Sequence, residues 1–579
     1  MRTPVGGGEL IIMGDVPSKE TKKETKAARI ERLKAEKNPW EHLEEVLRFA
    51  EQGHEAIPRE WLETYFRWWG VYTQGDGRGV FGHAMPYFMV RIRIPNGLLV
   101  SPQLRAIAEL AERYARGFAD ITVRQNIQLH WVRIEDMPDI LLRLFRVGLT
   151  TMGACGDDTR NITGCPLAGI DRDEICDASP LVLQATRMLV GNEAFYNLPR
   201  KFKICITGCR VWCSYPEIND VGLTAVERVT VGGEREIGFS VRVGGGLSTT
   251  PHFGIRLNAF VRWSQVLSVV RGIAEIFRDS DVLRQDRAKA RLKFLFLEHG
   301  WTAERFQEEL ERRLGFRLDP AVEEELPDHV YRDHVGLHPQ KQPGYYYAGF
   351  AILRGRITAE QMRRAADLAD RYGDGQLRTT NMQNLVLLNL PEERLGAFLR
   401  EVEKTDLRLE ASPFWRGAIA CTGTEFCKLA IAETKSFARW LVEELERRLP
   451  GFAEPLKINV NGCPNSCGQH WIADIGLQGC KMKVGGEQVD AFDILLGGTV
   501  GRGATFTRRI GLKAPASAVP DVLERLLREY LVRRRPGERF HEFCWRHSEA
   551  ELRAMLVGGE VEAMAAPPWP GPPPHGVEG

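Results

Sequence analysis

PNGLLVSPQLRAIAELAERYARGFADITVRQNIQLHWV, residues 95–132, has a relative further along the chain, LRGRITAEQMRRAADLADRYGDGQLRTTNMQNLVLLNL, residues 353–390. Arg113 aligns with Arg371 and Gln125 with Gln383, at a constant offset of 258 residues. A second pair of stretches, KICITGCRVWCSYPEINDVGL (203–223) and KINVNGCPNSCGQHWIADIGL (457–477), aligns at an offset of 254. Two separate blocks with nearly the same offset predict a tandem duplication of roughly 255 residues that follows an N-terminal extension.

Within each copy, the pattern of apolar residues predicts strands that alternate with helices. Residues 87–94 and 120–132 are typical of strands, and residues 102–117 keep apolar side chains at the spacing of an amphipathic helix. This order predicts an α/β or α+β architecture. We expect the charged segment 20–39 to form a solvated helical arm and the Pro/Gly-rich end, 566–579, to be a disordered tail.

The composition excludes several classes of function. The 579 residues include 78 basic and 77 acidic side chains, and a net charge of +1 argues against a nucleic-acid binder that relies on bulk electrostatics. No stretch approaches the run of about 20 apolar residues that a membrane span needs. The first residues do not have the order of a secretory signal. We therefore expect a cytoplasmic protein.

The twelve cysteines are distributed unevenly. None precedes Cys155; six lie between Cys155 and Cys213, five lie between Cys421 and Cys480, and Cys544 stands alone. In a cytoplasmic protein such clusters indicate metal binding or catalysis more often than disulfides.

The second cluster combines a C-x5-C pair, Cys421 and Cys427, with a C-x3-C pair, Cys463 and Cys467. Four thiolates from two distant segments can supply the ligands of a [4Fe–4S] cluster. Zinc is the competing metal, but its structural sites favour two to four residues within each pair, so a C-x5-C pair fits zinc poorly. Four ordinary buried thiols are the remaining alternative.

The stretches ACTGTEFCKLA (420–430) and NGCPNSCGQ (461–469) resemble the signature of the ferredoxin-dependent nitrite and sulfite reductases, which contain sirohaem and a [4Fe–4S] cluster. The resemblance covers roughly residues 60–550. It implies a tandem-duplicated nitrite/sulfite reductase fold with ferredoxin-like half-domains, and a cluster held by Cys421, Cys427, Cys463 and Cys467. Cys467 is implied to bridge the cluster to the sirohaem iron.

The same resemblance divides the chain into six segments. They are an N-terminal extension (1–60), a first ferredoxin-like half-domain (61–150), a first sirohaem and substrate domain (151–325), a second ferredoxin-like half-domain (326–405), a second domain with the [4Fe–4S] cluster and sirohaem contacts (406–555), and a Pro-rich tail (556–579).

A site for an anionic cofactor and a small oxyanion substrate needs converging cations, which also supply protons. By motif position, the resemblance implies that four cations bind the substrate: Arg91, Arg160, Lys201 and Lys203. It implies that Arg124 and Arg291 contact sirohaem. The repeat places Met382 opposite Arg124 and Thr159 opposite Cys421, so the first copy is expected to supply cations and the second to supply the cluster.

Three cysteines of the first copy, Cys165, Cys209 and Cys213, align with Cys427, Cys463 and Cys467. They are either a vestige of a second cluster or a surviving metal site. In the second case, Cys155 or Cys205 is expected to be the fourth ligand.

No nucleotide-binding or flavodoxin-like segment stands out, so the electrons are expected to come from a separate small carrier. The resemblance implies that this carrier is ferredoxin. The resemblance implies a monomer that reduces nitrite to ammonia with six electrons. Assimilatory reduction of sulfite to sulfide is the alternative: residues 335–349 and 164–174 resemble nitrite reductases, whereas Lys203 and the ACGD segment (154–157) resemble sulfite reductases. A non-catalytic iron–sulfur carrier without sirohaem, or an accessory subunit of a dissimilatory complex, would be a different class of protein.

Overall fold

The computed structural model describes residues 24–328 and 330–558, so the predicted tail and the start of the predicted arm lie outside the described residues. From residue 24 onward, the N-terminal part forms the α-helices α1 (Lys26–Glu36), α2 (Leu43–Gln52) and α3 (Arg59–Glu63).

The prediction of a solvated arm is wrong for the part that the structure describes. Helix α1 buries Ile30, Leu33 and the side chain of Lys34. The Lys34 Nζ donates to the carbonyl oxygen of Leu198 at 2.8 Å and lies 3.6 Å from the Asp157 carboxylate. The charge pattern concealed this because a buried lysine and an exposed one have the same sequence signature, and only the tertiary partner distinguishes them.

The first half-domain contributes four strands to a five-stranded sheet and has two α-helices. Its elements are β1 (Val71–Gly75), β2 (Ala84–Ile92), β3 (Leu98–Val100), α4 (Ser101–Tyr114), β4 (Phe118–Ile121), β5 (Ile127–Val132) and α5 (Met137–Arg146). Leu104, Ile107, Ala108 and Ala111 are fully buried, which confirms the predicted face of α4.

The predicted single strand over 120–132 is wrong, because the chain turns back on itself there. The Thr122 N–H donates to the carbonyl oxygen of Asn126 at 2.8 Å, and Gln125 has the left-handed backbone conformation, with φ of 60°. This turn separates β4 from β5 and places Arg124 at its tip.

The rest of the first copy forms a four-stranded sheet covered by helices. Its elements are α6 (Ser179–Leu189), β6 (Ile204–Thr207), β7 (Val221–Val229), β8 (Arg235–Val243), β9 (Ile255–Arg262), α7 (Val266–Arg278), α8 (Phe294–Leu297) and α9 (Ala303–Leu314). Strand β6 runs parallel to β7, and the other neighbours are antiparallel.

The second copy repeats both parts. Its half-domain contains β10 (Gly336–Pro339), β11 (Tyr345–Phe350), β12 (Arg356–Thr358), α10 (Ala359–Tyr372), β13 (Gln376–Thr379), β14 (Leu385–Pro391) and α11 (Leu395–Val402). The following domain contains α12 (Pro413–Gly417), β15 (Ala418–Ala420), α13 (Lys435–Arg448), β16 (Ile458–Asn461), β17 (Ile475–Val484), β18 (Glu487–Leu496), β19 (Arg508–Pro515), α14 (Val519–Arg533), α15 (Phe540–Arg546) and α16 (Glu549–Val557).

The two half-domains exchange a strand. Strand β12 of the second copy pairs with β4 of the first, in register from Arg356 opposite Asp120, while β3 of the first copy pairs with β13 of the second. Helices α4 and α10 pack against each other above these edges, and both half-domains contribute to one hydrophobic core. The two copies therefore form one packed unit and not two separate domains.

The duplication is also visible in the backbone. Residues other than glycine with positive φ recur at the sequence offsets: Asn96 with Arg354, Gln125 with Gln383, Trp131 with Asn389, Trp212 with Ser466, and Tyr215 with Gln469. Such conformations are uncommon for residues with a Cβ, so the matching positions indicate that the turns themselves were inherited.

Candidate active site at the junction of the two copies

The four cysteines of the second copy follow two adjacent strands. Strands β15 and β16 are parallel, and Cys421 and Cys463 follow their carboxyl ends, which meet at one edge of the sheet. Backbone amides point at two of the sulfurs: Gly462 N lies 3.2 Å from Cys421 Sγ and Leu429 N lies 3.4 Å from Cys427 Sγ. Hydrogen bonds of this kind stabilise thiolates and tune iron–sulfur clusters.

These four thiols interact electrostatically but do not touch. Burial, together with the neighbouring Cys467, raises the pKa of Cys427 and of Cys463 to about 12. Within the described ranges, no three of these four sulfurs form a tight group, in contrast to three cysteines of the first copy. Wider spacing fits a four-iron cluster, in which each cysteine sulfur binds a different iron, better than it fits one ion.

Arg91, on β2, is held by neutral groups. Its Nε and Nη2 donate to Gln128 Oε1 at 3.0 and 2.9 Å, and its Nη1 donates to the carbonyl oxygen of Ala154 at 3.2 Å and lies 3.0 Å from Cys155 Sγ. No carboxylate in the part of the chain that the structure describes forms an ion pair with this guanidinium, so its positive charge stays uncompensated.

Arg160 lies on a loop that other cations fix in place. Its Nε and Nη2 donate to the carbonyl oxygen of Gly156 at 3.2 and 2.9 Å. The fully buried Arg93 donates to the carbonyl oxygens of Met152 and Thr159, at the two ends of this loop. Arg93 therefore positions the loop.

Asp157, in the same loop, ties it to surrounding elements. Its carboxylate lies 2.7 Å from Arg287, 3.2 Å from Arg200 and 3.6 Å from Lys34 of α1. The N-terminal extension thus helps to hold the segment that carries Arg160.

Lys201 and Lys203 flank Phe202 just before β6. Neither ammonium group forms a hydrogen bond or an ion pair with any residue that the structure describes. Burial and the neighbouring Arg200 and Arg291 lower the pKa of Lys201 to about 7, against the opposing effect of Cys467. Burial, Arg124 and Arg291 likewise lower the pKa of Lys203 well below its ordinary value. The first copy's cations and the second copy's cluster loop therefore converge.

The two remaining predicted cations lie beside the lysines. Arg124 donates to Asn219 Oδ1 at 2.7 Å and to the carbonyl oxygen of Asn161 at 2.5 Å, and its Nε is buried without a partner among the described residues. Arg291 forms an ion pair with Asp220 through both carboxylate oxygens, at 3.1 and 2.7 Å.

Several other buried polar atoms near these loops have no hydrogen-bond partner within residues 24–328 and 330–558. They include Asn381 Oδ1, Asn459 Oδ1 and Asn461 Nδ2. Buried polar groups are nearly always satisfied, so these orphaned atoms indicate room for a polar ligand.

Comparison with protein families agrees with this geometry. The nitrite and sulphite reductase 4Fe-4S domain matches residues 155–318 and 412–562, and the nitrite/sulfite reductase ferredoxin-like half domain matches residues 83–145 and 338–405. The chain belongs to the ferredoxin-dependent nitrite/sulfite reductase family. As a member, this reductase carries an iron–sulfur cluster of the 4Fe-4S type, and its tandem-duplicated fold with ferredoxin-like half-domains is confirmed.

Some relatives of this reductase are named nitrite reductases and others are named sulfite reductases. It is 40% identical over 531 residues to the assimilatory ferredoxin-dependent nitrite reductase of Haloferax mediterranei, covering 86% of this chain and 88% of the relative. It is 37% identical over 542 residues to the sulfite reductase [ferredoxin] of Mycobacterium tuberculosis, covering 90% and 95%. The solved structure of the Mycobacterium tuberculosis NirA protein matches with a TM-score of 0.85 at 37% identity, covering 90% of this chain and 97% of that one.

None of the helices in the described part of the reductase has the length and apolar character needed to cross a lipid bilayer.

Sequence reasoning missed residues that hold the cations in place. Asp220 pairs with Arg291 and also accepts from the backbone N–H of Lys203 at 2.8 Å. Its repeat counterpart Asp474 accepts from the N–H of Lys457 at the same distance. The alignment of Asp220 with Asp474 was the signal that could have identified this support, whereas Gln128 and Asp157 left no such trace.

Proposed function

We propose that this reductase converts nitrite to ammonia in a six-electron reduction at a sirohaem coupled to the [4Fe–4S] cluster, with electrons from ferredoxin. One observation carries the proposal: Arg91, Lys201 and Lys203 form no ion pair with any described carboxylate, and Lys201 interacts electrostatically with Cys467. Bound sirohaem and cluster would supply electrons one at a time and an iron centre for the anion. Ferredoxin as the donor is supported by the names of the relatives.

Arg124 and Arg291 are the residues that would hold the carboxylates of sirohaem. Arg124 has an unused donor, Nε, and the amide of Asn461 has an unused donor, Nδ2. Cys467 is exposed, whereas the other three cysteines are at least partly buried, so it is the cluster cysteine that would be open to sirohaem. The unused Nε donor of Arg124 fits a polyanionic cofactor, whereas Arg291 would have to share its charge with Asp220, to which it is already paired.

Arg91, Arg160, Lys201 and Lys203 would bind the substrate anion and hold protons next to it. Guanidinium groups orient an oxyanion, and an ammonium group can both bind an oxygen and release a proton to it as that oxygen leaves as water. A pKa of about 7 lets Lys201 hold or release a proton near neutral pH. An incoming anion favours the protonated lysine, which charges the site as the substrate enters.

Sulfite is the second candidate substrate, and Lys203 is the observation that favours it. Sulfite is partly dianionic at neutral pH whereas nitrite is a monoanion, so an additional unpaired ammonium group stabilises sulfite more strongly. The counterpart Lys457 donates to the carbonyl oxygen of Ile472 at 3.1 Å. The ammonium group of Lys203 makes no such bond to any described residue and can respond to the substrate.

The visible spectrum of the purified protein tests the cofactors first. We expect a haem-like Soret band together with cluster absorption; cluster absorption alone would identify an iron–sulfur carrier without sirohaem and overturn the proposal. Steady-state kinetics with reduced ferredoxin, nitrite and sulfite then test the substrate. A higher kcat/KM for nitrite is expected, and a much higher kcat/KM for sulfite would make sulfite the substrate.

A further inference from the structure

Three buried cysteines of the first copy form a compact triangle. Cys213 Sγ lies 3.5 Å from Cys165 Sγ and 3.9 Å from Cys209 Sγ, and all three sulfurs lie within 4.8 Å of one another. A tetrahedral zinc ion with bonds of about 2.3 Å to sulfur separates its thiolates by about 3.8 Å. The triangle has the dimensions of three ligands around one such ion.

A fourth donor lies beside the triangle. Asp171 is buried, and its Oδ2 is 3.8 Å from Cys209 Sγ. It lies farther than 4.8 Å from at least one of the other two sulfurs, so its carboxylate would turn toward the triangle when a metal binds. A carboxylate oxygen about 2.1 Å from zinc would lie about 3.6 Å from a thiolate on the same ion. The two candidates from sequence reasoning are wrong: Cys155 faces Arg91, and Cys205 contacts Ser214, so neither belongs to the group.

The surroundings provide charge balance and exclude water. Arg332 binds both oxygens of Asp171, at 2.6 and 3.0 Å. Apolar side chains, including Leu167, Ile170 and Leu388, enclose the sulfurs. Three thiolates and one carboxylate around a divalent cation leave two negative charges, and the guanidinium of Arg332 offsets one of them.

The corresponding thiols of the second copy are spaced differently, although the backbone is alike. The loops after β6 and β16 both contain the left-handed turns at Trp212 and Tyr215 or at Ser466 and Gln469. Cys213 is buried, whereas its counterpart Cys467 is exposed. The first copy also has Thr159 where the second has Cys421. The first copy thus lacks one of the four cluster ligands, and its three remaining sulfurs lie closer together. This spacing suits a single metal ion better than a four-iron cluster.

We propose that Cys165, Cys209, Cys213 and Asp171 bind one zinc ion, separate from the iron–sulfur cluster. The spacing of Cys209 and Cys213, C-x3-C, lies within the range of structural zinc sites. The three thiols release their protons when the metal binds, and no electron is transferred. The site would fix the loop after β6 to the segment 165–171 and thereby support the strand that follows Lys201 and Lys203.

Elemental analysis and zinc K-edge absorption of the purified holoenzyme test this proposal together. We expect about one zinc per chain in protein with its full iron content, and a zinc shell of three sulfurs at about 2.3 Å with one oxygen near 2.0–2.2 Å. Full iron with zinc below about 0.1 per chain overturns the proposal, as does a disulfide between Cys165 and Cys213. A shell of four sulfurs also overturns it, because a fourth cysteine would then take the place assigned to Asp171.

Variants locate the ion. In Cys213→Ser the zinc content per chain is expected to fall at least about tenfold, while the iron content and the visible spectrum stay unchanged. Cys544→Ser, a change at a fully buried thiol outside both clusters, serves as the matched control and should retain zinc. Retention of zinc in Cys213→Ser, or equal loss in both variants, contradicts the assignment. If Cys213→Ser does not fold, the zinc shell of the unaltered enzyme still decides. A missing Soret band would refute the proposed function but leave the zinc measurement unaffected.

Discussion

The cysteine loops of the two copies have the same backbone conformation, but their thiols are arranged differently. In the second copy the four thiols stand apart, and Cys467 is exposed toward the junction of the copies. In the first copy three thiols are drawn together in an apolar enclosure. Lys203 and Lys457 differ in the same way, since only Lys457 donates to a carbonyl oxygen.

This difference shows how a duplicated scaffold acquires complementary halves. The turns and the carboxylates that fix them, Asp220 and Asp474, are shared. The groups that would meet ligands are not. Backbone geometry was therefore kept while side chains at a few positions specialised, and each half of the site is incomplete without the other.

The largest effect is expected when Cys421 of the second copy is replaced by threonine, the residue that the first copy has at the corresponding position. Cys421→Thr should lose the four-iron cluster and reduce kcat with reduced ferredoxin by at least about 100-fold, because a cluster ligand is gone. Iron content and turnover measure this, with Cys544→Ser as the buried-thiol control. Full iron and full activity in Cys421→Thr would show that Cys421 is no ligand.

The reciprocal change in the cation half is expected to have the next largest effect. Arg124→Met places the residue of the second copy, Met382, into the first. Loss of one cation that faces the cofactor should weaken sirohaem retention by about 10- to 100-fold. The ratio of Soret absorbance to iron–sulfur iron reports it. Met382→Leu is the control, and an unchanged ratio in Arg124→Met would remove Arg124 from the cofactor site.

Lys203→Asn tests whether the unpaired lysine distinguishes the copies in function. A charge-assisted hydrogen bond contributes about 1.5–3 kcal/mol, so we expect KM for sulfite to rise about 10- to 100-fold and KM for nitrite to rise less. Lys457→Asn should lower thermal stability without this split between substrates. Equal losses for both anions in Lys203→Asn would contradict the role assigned to Lys203.

The smallest expected effect concerns acid sensitivity. His470 is buried in the second copy where the first has Pro216, and burial lowers the pKa of His470 to about 3 from 6.5. Between these values the unfolded chain binds the additional proton, so stability falls as the pH decreases from 6.5. One such group accounts for about 1.4 kcal/mol at pH 5.5.

His470→Gln should therefore flatten the dependence of Tm on pH between 7.5 and 5.5, whatever its effect on absolute stability. Identical slopes for the variant and the unaltered enzyme would show that His470 does not cause the sensitivity.

Much of the fold could be predicted because repetition and periodicity are local signals. The constant offset revealed the duplication, and apolar residues at helical spacing defined the buried face of α4. The hairpin over 120–132 was missed because its turn relies on Thr122 and on a glutamine in left-handed conformation, neither of which is a usual turn signal. The exchange of β3 and β12 could not be foreseen, since three-residue strands do not specify a partner sheet.

The site was predictable only in part for a similar reason. Motif positions identified cations, but a sequence does not show which cation is neutralised by an acidic partner. Arg291 is paired with Asp220, whereas Arg93 donates to backbone carbonyl oxygens and Arg91 donates to neutral groups. The contraction of Cys165, Cys209 and Cys213 depends on side-chain direction and burial, which follow from tertiary packing. Lys34 was misjudged for the same reason.

The exchanged strands have a consequence for ancestry. Two identical subunits that each lend a strand to the other form a closed, isologous homodimer, and neither subunit is complete alone. Joining such partners into one polypeptide preserves the strand exchange, and it also allows the two halves to differ in sequence. In a homodimer every substitution appears twice, so a cation gained in one half is gained in both. Covalent fusion is what allowed one half to keep a ligand that the other discarded, and an asymmetric catalyst could then evolve from a symmetric assembly.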